Sequence, residues 1–212
     1  MSSLIKKGAE ADLYLVIWND LKVIKKIRRK KSYRLPQLDL SLRRSRTGHE
    51  VQLMSDAKRA GVSTPFIYMV NVKATTIIMQ YVEGPIVKEI LNTLAHDERV
   101  QLCIDIGVLI GKLHNFGIVH GDLTTSNMIY TKNCKLFLID FGLSEYSKEL
   151  EKRGVDLLLA KRSLQSTHYR FEKECFEALF KGYSSEMGKT IAQEVLSRVE
   201  EISKRGRYAI ER

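Results

Sequence analysis

The chain contains His120-Gly121-Asp122-Leu123-Thr124-Thr125-Ser126-Asn127 and, after twelve intervening residues, Asp140-Phe141-Gly142. Apolar side chains recur every three or four residues over 97–114, which predicts a helix before the first motif. Short strands at 128–130 and 135–139, joined by a turn, predict a hairpin between the two motifs. Such a hairpin would bring the carboxylate of Asp140 back beside the Asp122 and Asn127 side chains.

These oxygen atoms suit phosphoryl transfer. The reaction needs a carboxylate that orients or deprotonates the acceptor, and it needs oxygen ligands for a divalent cation beside the phosphate. Asp122 is therefore the candidate catalytic base, and Asn127 and Asp140 are the candidate metal ligands. Each residue alone could be an ordinary turn or strand end, but their order and context match the protein-kinase signature. The expected cofactors are ATP and Mg²⁺ or Mn²⁺.

The residues before these motifs predict a sheet with one helix. Strands are expected at 13–18, 21–26, 66–72 and 75–80, and a helix is expected at 46–60. Helices are also expected after the motifs, at 171–181 and 190–204. The predicted fold is α+β and bilobal, like that of protein kinases, with a hinge near 80–84. Its parts are a small β-rich lobe (1–82), a reduced helical lobe (83–203) and a basic tail (204–212).

A nucleotide site needs further groups in the first lobe. Lys25 and Lys26 both end the second strand, and strand alternation alone leaves open which of them pairs with Glu50. The turn Gly8-Ala9-Glu10-Ala11 is a weak phosphate-loop candidate, and no G-x-x-x-x-G-K-[ST] motif is present. The segment Met79-Gln80-Tyr81-Val82 fits an adenine-binding connector, in which main-chain groups of Gln80 and Val82 would pair with the base.

Composition narrows the class of partner. The net charge of +10 favours acidic partners such as nucleotides, RNA or an acidic protein. No run approaches the ~20 apolar residues of a membrane span, and the N-terminus lacks the apolar core of a secretion signal. A cytoplasmic protein without a membrane partner is therefore expected. The three cysteines form no Cys-x-x-Cys pair, so reduced cysteines are expected.

Taken together, the sequence resembles the small kinase or ATPase subunit of the KEOPS (EKC) complex, of archaeal type. The resemblance is carried by Gly8-Ala9-Glu10-Ala11, Lys26-x-Arg28-x-x-Lys31-x-Tyr33-Arg34-x-Pro36, the two motifs quoted first, and Arg205-Gly206-Arg207. It implies an atypical Ser/Thr protein kinase and ATPase that supports threonylcarbamoyladenosine modification of tRNA adenosine-37. It also selects Lys26 as the phosphate-binding lysine, paired with Glu50.

The resemblance further implies partners. They are a metal-binding tRNA-modifying subunit of ATPase fold, a small regulatory subunit, and tRNA. The tail with Arg205, Gly206 and Arg207 would reach the partner subunit or its tRNA, although a frayed end is the ordinary interpretation. The basic residues of 22–34 would contact tRNA or protein, or form a solvated face.

Departures from ordinary protein kinases limit the expected substrates. Thr124 stands where many such kinases carry a lysine, and no Ala-Pro-Glu motif is present. Only residues 143–155 separate Gly142 from Asp156, which resembles the helical aspartate that braces the catalytic loop. A poor peptide kinase is therefore expected, with water or one of its own serines as acceptor. The alternatives are a RIO-like kinase, a small-molecule phosphotransferase, and a non-catalytic tRNA-binding scaffold.

Overall fold

Five antiparallel strands form the first lobe of the computed structural model, which describes residues 2–208. The strands are β1 (Ser2–Lys7), β2 (Ala11–Trp18), β3 (Leu21–Arg28), β4 (Ile67–Asn71) and β5 (Thr76–Gln80), and their order in the sheet is β1-β2-β3-β5-β4. Asn19 and Asp20 have φ values of 48° and 61°. Positive φ at both positions is the geometry that a two-residue hairpin turn requires. Strands β2 and β3 therefore pair in register up to Trp18 and Leu21.

One helix, α1 (Pro36–Arg59), crosses beside this sheet. It begins ten residues before the predicted start at Arg46, so the predicted start was wrong. Proline at the first helical position has no N–H to lose and a φ already suited to a helix. The buried positions of α1 include Asp39, Thr47 and Glu50, so apolar periodicity could not reveal this helix. Strand β1 was also not predicted, because its sequence lacks clear alternation.

The second lobe is helical around two small two-stranded sheets. Its elements are α2 (Val87–Ile90), α3 (His96–Phe116), β6 (Ile118–Val119), a 3-10 turn (Thr125–Asn127), β7 (Met128–Tyr130), β8 (Leu136–Leu138), β9 (Glu145–Tyr146), α4 (Leu150–Thr167), α5 (Glu172–Met187) and α6 (Lys189–Tyr208). Strands β6 and β9 form one of these sheets, and β7 and β8 form the other, which is a hairpin. The left-handed Gly117 (φ 83°) ends α3 and turns the chain toward the segment 120–127. The α+β prediction is confirmed, whereas the lobe boundaries remain a prediction. Residues 209–212 of the predicted tail lie outside the described part.

None of the helices within residues 2–208 is both long and apolar enough to cross a bilayer. Cys103 and Cys175 are buried free thiols, and Cys134 is an exposed one. Cys103 lies on α3 and Cys175 on α5, two helices that pack side by side in the core.

Helices α3 and α5 approach closely because each contributes a glycine to the contact. A Cβ at Gly107 would lie 1.9 Å from the carbonyl oxygen of Leu179, and one at Gly182 would lie 2.0 Å from that of Ile104. Gly107→Ala is therefore expected to lower the free energy of unfolding by about 1–3 kcal/mol, since the two backbones must separate. Urea denaturation monitored by circular dichroism measures this loss.

Gly48→Ala provides a matched control. Gly48 lies inside α1, and a Cβ there would meet no atom within 4 Å. The control is expected to raise stability by about 0.5–1 kcal/mol, because alanine loses less backbone entropy in a helix. Equal effects of the two substitutions would show that the close contact between α3 and α5 does not constrain residue 107.

Candidate active site

Lys26 links the two lobes through two carboxylates. Its Nζ lies 2.5 Å from Oε1 of Glu50, on α1, and 2.7 Å from Oδ1 of Asp140, in the second lobe. Burial opposes the charge of Lys26, but Glu50 and Asp140 hold its pKa above the ordinary value. Likewise, burial opposes the charge of Asp140, but Lys26 holds the pKa of that carboxyl below its ordinary value. Lys26, and not Lys25, therefore lies at this junction.

Arg28 is a member of the cluster to which sequence spacing gave no role. Its Nη2 lies 2.5 Å from Oε2 of Glu50, so the two oxygens of this carboxylate neutralise two buried cations. Lys26 and Arg28 are two residues apart on β3, and such residues share one face of a strand. The alternation of side chains along β3, together with the spacing of Lys26 and Arg28, could have identified Arg28 as a member of this cluster.

The Asp140 backbone is left-handed, with φ 64°. The chain turns again directly after Asp140, because the Ser144 N–H donates to the Phe141 carbonyl oxygen at 3.2 Å, and Gly142 occupies this turn without a positive φ. The Gly142 N–H also donates to Oδ1 of Asp140 at 3.4 Å. Phe141 is fully buried and packs against the His120 ring at a centroid distance of 4.8 Å. This contact anchors the strained turn that presents Asp140 to the cleft.

Asn127 and Asp122 are joined directly. The Nδ2 of Asn127 donates to the carbonyl oxygen of Asp122 at 3.0 Å and to its Oδ2 at 2.7 Å. The Ile139 N–H donates to the Asn127 carbonyl oxygen at 2.9 Å, which brings the residue before Asp140 beside Asn127. With Nδ2 committed to Asp122, the amide oxygen of Asn127 is the atom left for a cation. The predicted hairpin has thus gathered all three motif residues.

Asp156 braces this loop from α4. Its Oδ2 accepts the His120 N–H at 2.6 Å, and its Oδ1 accepts the Gly121 N–H at 2.7 Å. His114 on α3 lies 3.2 Å from Oδ2, and its other ring nitrogen lies 2.9 Å from the Tyr183 hydroxyl. All of these groups except Gly121 are buried. Helices α3, α4 and α5 therefore fix the loop through one carboxylate.

Asp156→Asn is expected to lower the free energy of unfolding by about 2–3 kcal/mol. An amide has one acceptor oxygen, so at least one buried N–H of the loop loses its partner, at a cost of about 1–3 kcal/mol. Thermal and urea unfolding measure the loss. Asp105→Asn is the control, because the Asp105 side chain on α3 accepts a hydrogen bond from the exposed Gln101 side chain and from no other described residue. An Asp156 variant as stable as the Asp105 variant would contradict the bracing role.

The Gly8–Ala11 turn is tied to the basic segment that follows β3. The Gly8 N–H donates to the Ala11 carbonyl oxygen at 3.0 Å, and a Cβ at Gly8 would lie 2.5 Å from that oxygen. Lys31 Nζ donates to the Ala9 carbonyl oxygen at 2.5 Å, and Arg46 lies 2.7 Å from Glu10. These contacts hold the turn over the cleft.

Two adjoining cavities, each of about 240 Å³, meet at Lys26 and Asp140. The first is mainly apolar and is lined in part by Leu13, Ile24, Met79, Val82, Ile129 and Ile139. The second is more polar than the first and is lined in part by Gly8, Ala9, Glu10, Ala11, Arg28 and Asp122. The Gln80 N–H donates to the Phe66 carbonyl oxygen at 2.7 Å, so this N–H is already committed and would not pair with a base. An apolar compartment next to a polar one fits a base beside its phosphates.

Many basic side chains of the first lobe form ion pairs or hydrogen bonds with other groups of that lobe. Arg29 pairs with Asp12, Arg43 and Arg34 lie near Asp39, and Lys26, Arg28, Lys31 and Arg46 make the contacts given above. This part of the chain is therefore less of a free basic face than its composition suggests. Arg205 lies on α6, 3.0 Å from Glu151 of α4, and it does not line either cavity. Gly206 and Arg207 continue the same helix.

Comparison with known proteins identifies the family of this chain. The RIO domain family matches residues 18–156, about two thirds of the chain. A KEOPS complex subunit Bud32 from Pyrococcus abyssi is 46% identical over 211 residues, covering 97% of this chain and 96% of the relative. A probable bifunctional tRNA threonylcarbamoyladenosine biosynthesis protein from Methanothermobacter thermautotrophicus is 43% identical over 205 residues, and one from Methanosarcina mazei is 42% identical over 207.

The chain spans only 36% of the length of each of these two bifunctional relatives, whereas it matches the Pyrococcus protein along nearly its whole length. The resemblance to the KEOPS subunit is thereby confirmed. The alternative of a RIO-like kinase does not conflict with this resemblance, because the chain also matches the broader RIO domain family. The chain belongs to the RIO domain family of kinase-like proteins and, within it, to the group that contains Bud32.

Proposed function

We propose that the chain is an ATP-dependent phosphotransferase and ATPase that supports threonylcarbamoyladenosine modification of tRNA adenosine-37 in a KEOPS complex. The observation that carries the chemical part is the convergence of Lys26, Asp122, Asn127 and Asp140 on one cleft. The role in tRNA modification is supported by the similarity to a KEOPS complex subunit and to probable bifunctional tRNA threonylcarbamoyladenosine biosynthesis proteins.

The adenine ring of ATP fits the apolar cavity, against Met79 and Val82, and the phosphates fit the polar one. Lys26 would bind phosphate oxygens, and Glu50 would keep its Nζ in place when Asp140 takes other partners. The Asn127 amide oxygen and the Asp140 carboxylate are hard oxygen donors of the kind that Mg²⁺ and Mn²⁺ prefer. A cation bound there would offset the negative charge that develops on the transferred phosphate.

Asp122 would orient the acceptor and receive its proton. The hydrogen bond from Asn127 fixes one Asp122 oxygen, which leaves the other for the acceptor hydroxyl or water. Thr124 supplies no cation beside the catalytic base, and residues 143–155 leave little room for a docked peptide. ATP hydrolysis and autophosphorylation are therefore the proposed reactions, ahead of phosphorylation of a distant protein.

The proposed partners are a metal-binding tRNA-modifying subunit of ATPase fold, a small regulatory subunit, and tRNA. The bifunctional relatives support a partner that acts together with this chain. In such a relative, a segment similar to this chain is joined to other sequence in one protein about three times as long. The proposed tail, residues 204–212 with Arg205, Gly206 and Arg207, would meet that partner or its tRNA. The two lobes, 1–82 and 83–203, would close on the nucleotide.

Phosphate release tests the proposal. Turnover of ATP should require Mg²⁺ or Mn²⁺ and should rise when the partner subunit and tRNA are added. A truncation before Lys204 should keep basal turnover and lose the stimulation. Efficient phosphorylation of choline or an aminoglycoside would instead indicate a small-molecule phosphotransferase. Nucleotide-independent tRNA binding without turnover in any assembly would indicate a scaffold.

A further inference from the structure

A third, more open cavity of about 470 Å³ lies behind the hinge, away from Asp122 and Asp140. It is bounded by the end of α1, the segment before β4 and the β7–β8 hairpin. Its lining residues include Lys58, Gly61, Ser63, Thr64, Phe66, Lys135 and Phe137. The walls are fixed, because Leu138 donates its N–H to the Ser63 carbonyl oxygen at 2.9 Å. This cavity is called the lysine pocket below.

Positive charge in the lysine pocket is not neutralised. Within residues 2–208, neither Lys58 nor Lys135 has a carboxylate within salt-bridge distance, and no acidic side chain lines the pocket. Lys112 adds a third cation at its edge, since a Cβ at Gly61 would lie 4.0 Å from Lys112 Nζ. Burial, followed by repulsion from Lys135, lowers the pKa of Lys58. By contrast, many cations of the first lobe are paired internally.

Aromatic rings border these lysines. Lys58 Nζ lies 4.9 Å from the centroid of Phe66, and Lys135 Nζ lies 5.3 Å from that of Phe137. Phe66 is 55% exposed, although it is a large apolar side chain. From Phe66 a row of rings continues to Tyr68 at 5.2 Å and then to Trp18 at 5.9 Å. The pocket thus combines unpaired cations with an accessible ring face.

We propose that the lysine pocket binds a phosphate group of single-stranded RNA, with a neighbouring base stacked on Phe66. Lysines beside exposed aromatic rings are the combination with which proteins bind single strands, because the cations follow the phosphates and the rings accept any base. An acidic peptide would satisfy the lysines but would leave the Phe66 face unused. The inference rests on the tRNA partner of the proposed function and assigns it a binding site, but this binding needs neither ATP nor turnover.

Fluorescence anisotropy with a fluorescein-labelled decamer of uridine, without nucleotide, tests the lysines. Lys58→Ala with Lys135→Ala should weaken binding about tenfold at 0.1 M salt. It should also reduce the slope of log K against log salt by roughly 1, since each phosphate contact on a single strand contributes about 0.7. The two lysines repel one another, so their removal should leave thermal stability unchanged.

Lys161→Ala is the matched control for Lys58→Ala. Lys161 Nζ also lies 4.9 Å from an aromatic centroid, that of Phe176, but it does not line the pocket. The control should bind the decamer as the wild-type protein does. An equal loss in both single variants would overturn the proposal, because it would show a general effect of net charge.

Substitutions of Phe66 test whether an RNA base stacks on its ring. Phe66→Ala should weaken decamer binding roughly five- to a hundredfold, as for the loss of one stacked base, and Phe66→Tyr should restore it. Phe66→Leu keeps apolar bulk without a ring face and should resemble the alanine variant. Restoration by leucine would overturn the stacking assignment.

Competition identifies the source of the phosphate. Inorganic phosphate and uridine monophosphate should compete far more weakly than unlabelled decamer, whose contacts include a base and several phosphates. Equal competition by the monophosphate would overturn a strand in favour of a free nucleotide. No decamer binding by the wild-type protein, or binding of polyglutamate alone, would also overturn the proposal. None of these outcomes depends on ATP turnover, so failure here is distinct from failure of the proposed function.

Discussion

Asp140→Asn is expected to lower ATP turnover by about a thousandfold, equivalent to about 4 kcal/mol of transition-state stabilisation. Asp140 borders both cavities of the nucleotide cleft, and within residues 2–208 it is the only carboxylate besides Glu50 that contacts Lys26. An amide keeps the shape of the side chain but removes the negative charge that would hold a divalent cation and position Lys26. Phosphate release over a titration of Mg²⁺ or Mn²⁺ measures the loss and any shift in metal dependence.

The Asp140 variant should remain folded, which separates lost chemistry from lost structure. The Asp140 side chain is 46% exposed, and Lys26 retains Glu50 as its buried partner. Asp97→Asn is the control, because the Asp97 side chain is fully exposed at the start of α3. Full turnover by the Asp140 variant, at the metal concentration that suits the wild-type protein, would contradict the proposed metal site.

The cluster of Asp122, Asn127 and Asp140 was predictable because short-range rules place all three. A helix, a loop and a two-stranded hairpin bring the three residues together whatever the rest of the chain does. The same holds for the alternation of β2 and β3 and for the turn at Asn19 and Asp20. Local sequence patterns were therefore sufficient to predict most of the structure around the second-lobe motifs and the β2–β3 hairpin.

Long-range contacts between polar groups could not be predicted in the same way. In the first part of α1, Arg43 pairs with the buried Asp39 and also donates to the Thr75 hydroxyl, which lies 32 residues further along the chain. Arg28 is buried for an electrostatic reason that appears only once Glu50 lies opposite β3. Asp156 reaches the loop from α4, and the roles of His114 and Tyr183 depend on three helices meeting. A polar residue in a sequence does not show which distant group neutralises it.

The charge of +10 illustrates the same limit on a larger scale. Composition and the basic run at 22–34 pointed to a free basic surface, yet many of those cations hold the Gly8–Ala11 turn or the Glu50 cluster. Lys58 and Lys135 lie in unremarkable stretches 77 residues apart, and folding alone brings them to one pocket. Charge counts therefore predict the sign of a partner, and the fold decides where that partner can bind.

Glu50→Gln is expected to lower the free energy of unfolding by about 3–5 kcal/mol at pH 7. Removing one member of a buried ion cluster leaves uncompensated charge, which costs more than the intact cluster contributes. Here the neutral amide would leave Lys26 and Arg28 as neighbouring buried cations with only the half-exposed Asp140 opposite Lys26. Urea denaturation measures the loss. Glu177→Gln on the exposed face of α5 is the control, with an expected change within about 0.5 kcal/mol.

The pH dependence of this loss identifies its cause. In the wild-type protein the pKa of Lys26 is raised, so the cluster contributes its full stability at every pH below the ordinary lysine value of 10.5 and loses it only above. Without Glu50, burial and Arg28 would depress the pKa of Lys26, and the variant would gain stability as Lys26 loses its proton. The difference in unfolding free energy between the two proteins should therefore shrink from pH 7 to pH 10. A constant or growing difference would mean that Glu50 stabilises the fold through packing, and not by neutralising Lys26 and Arg28.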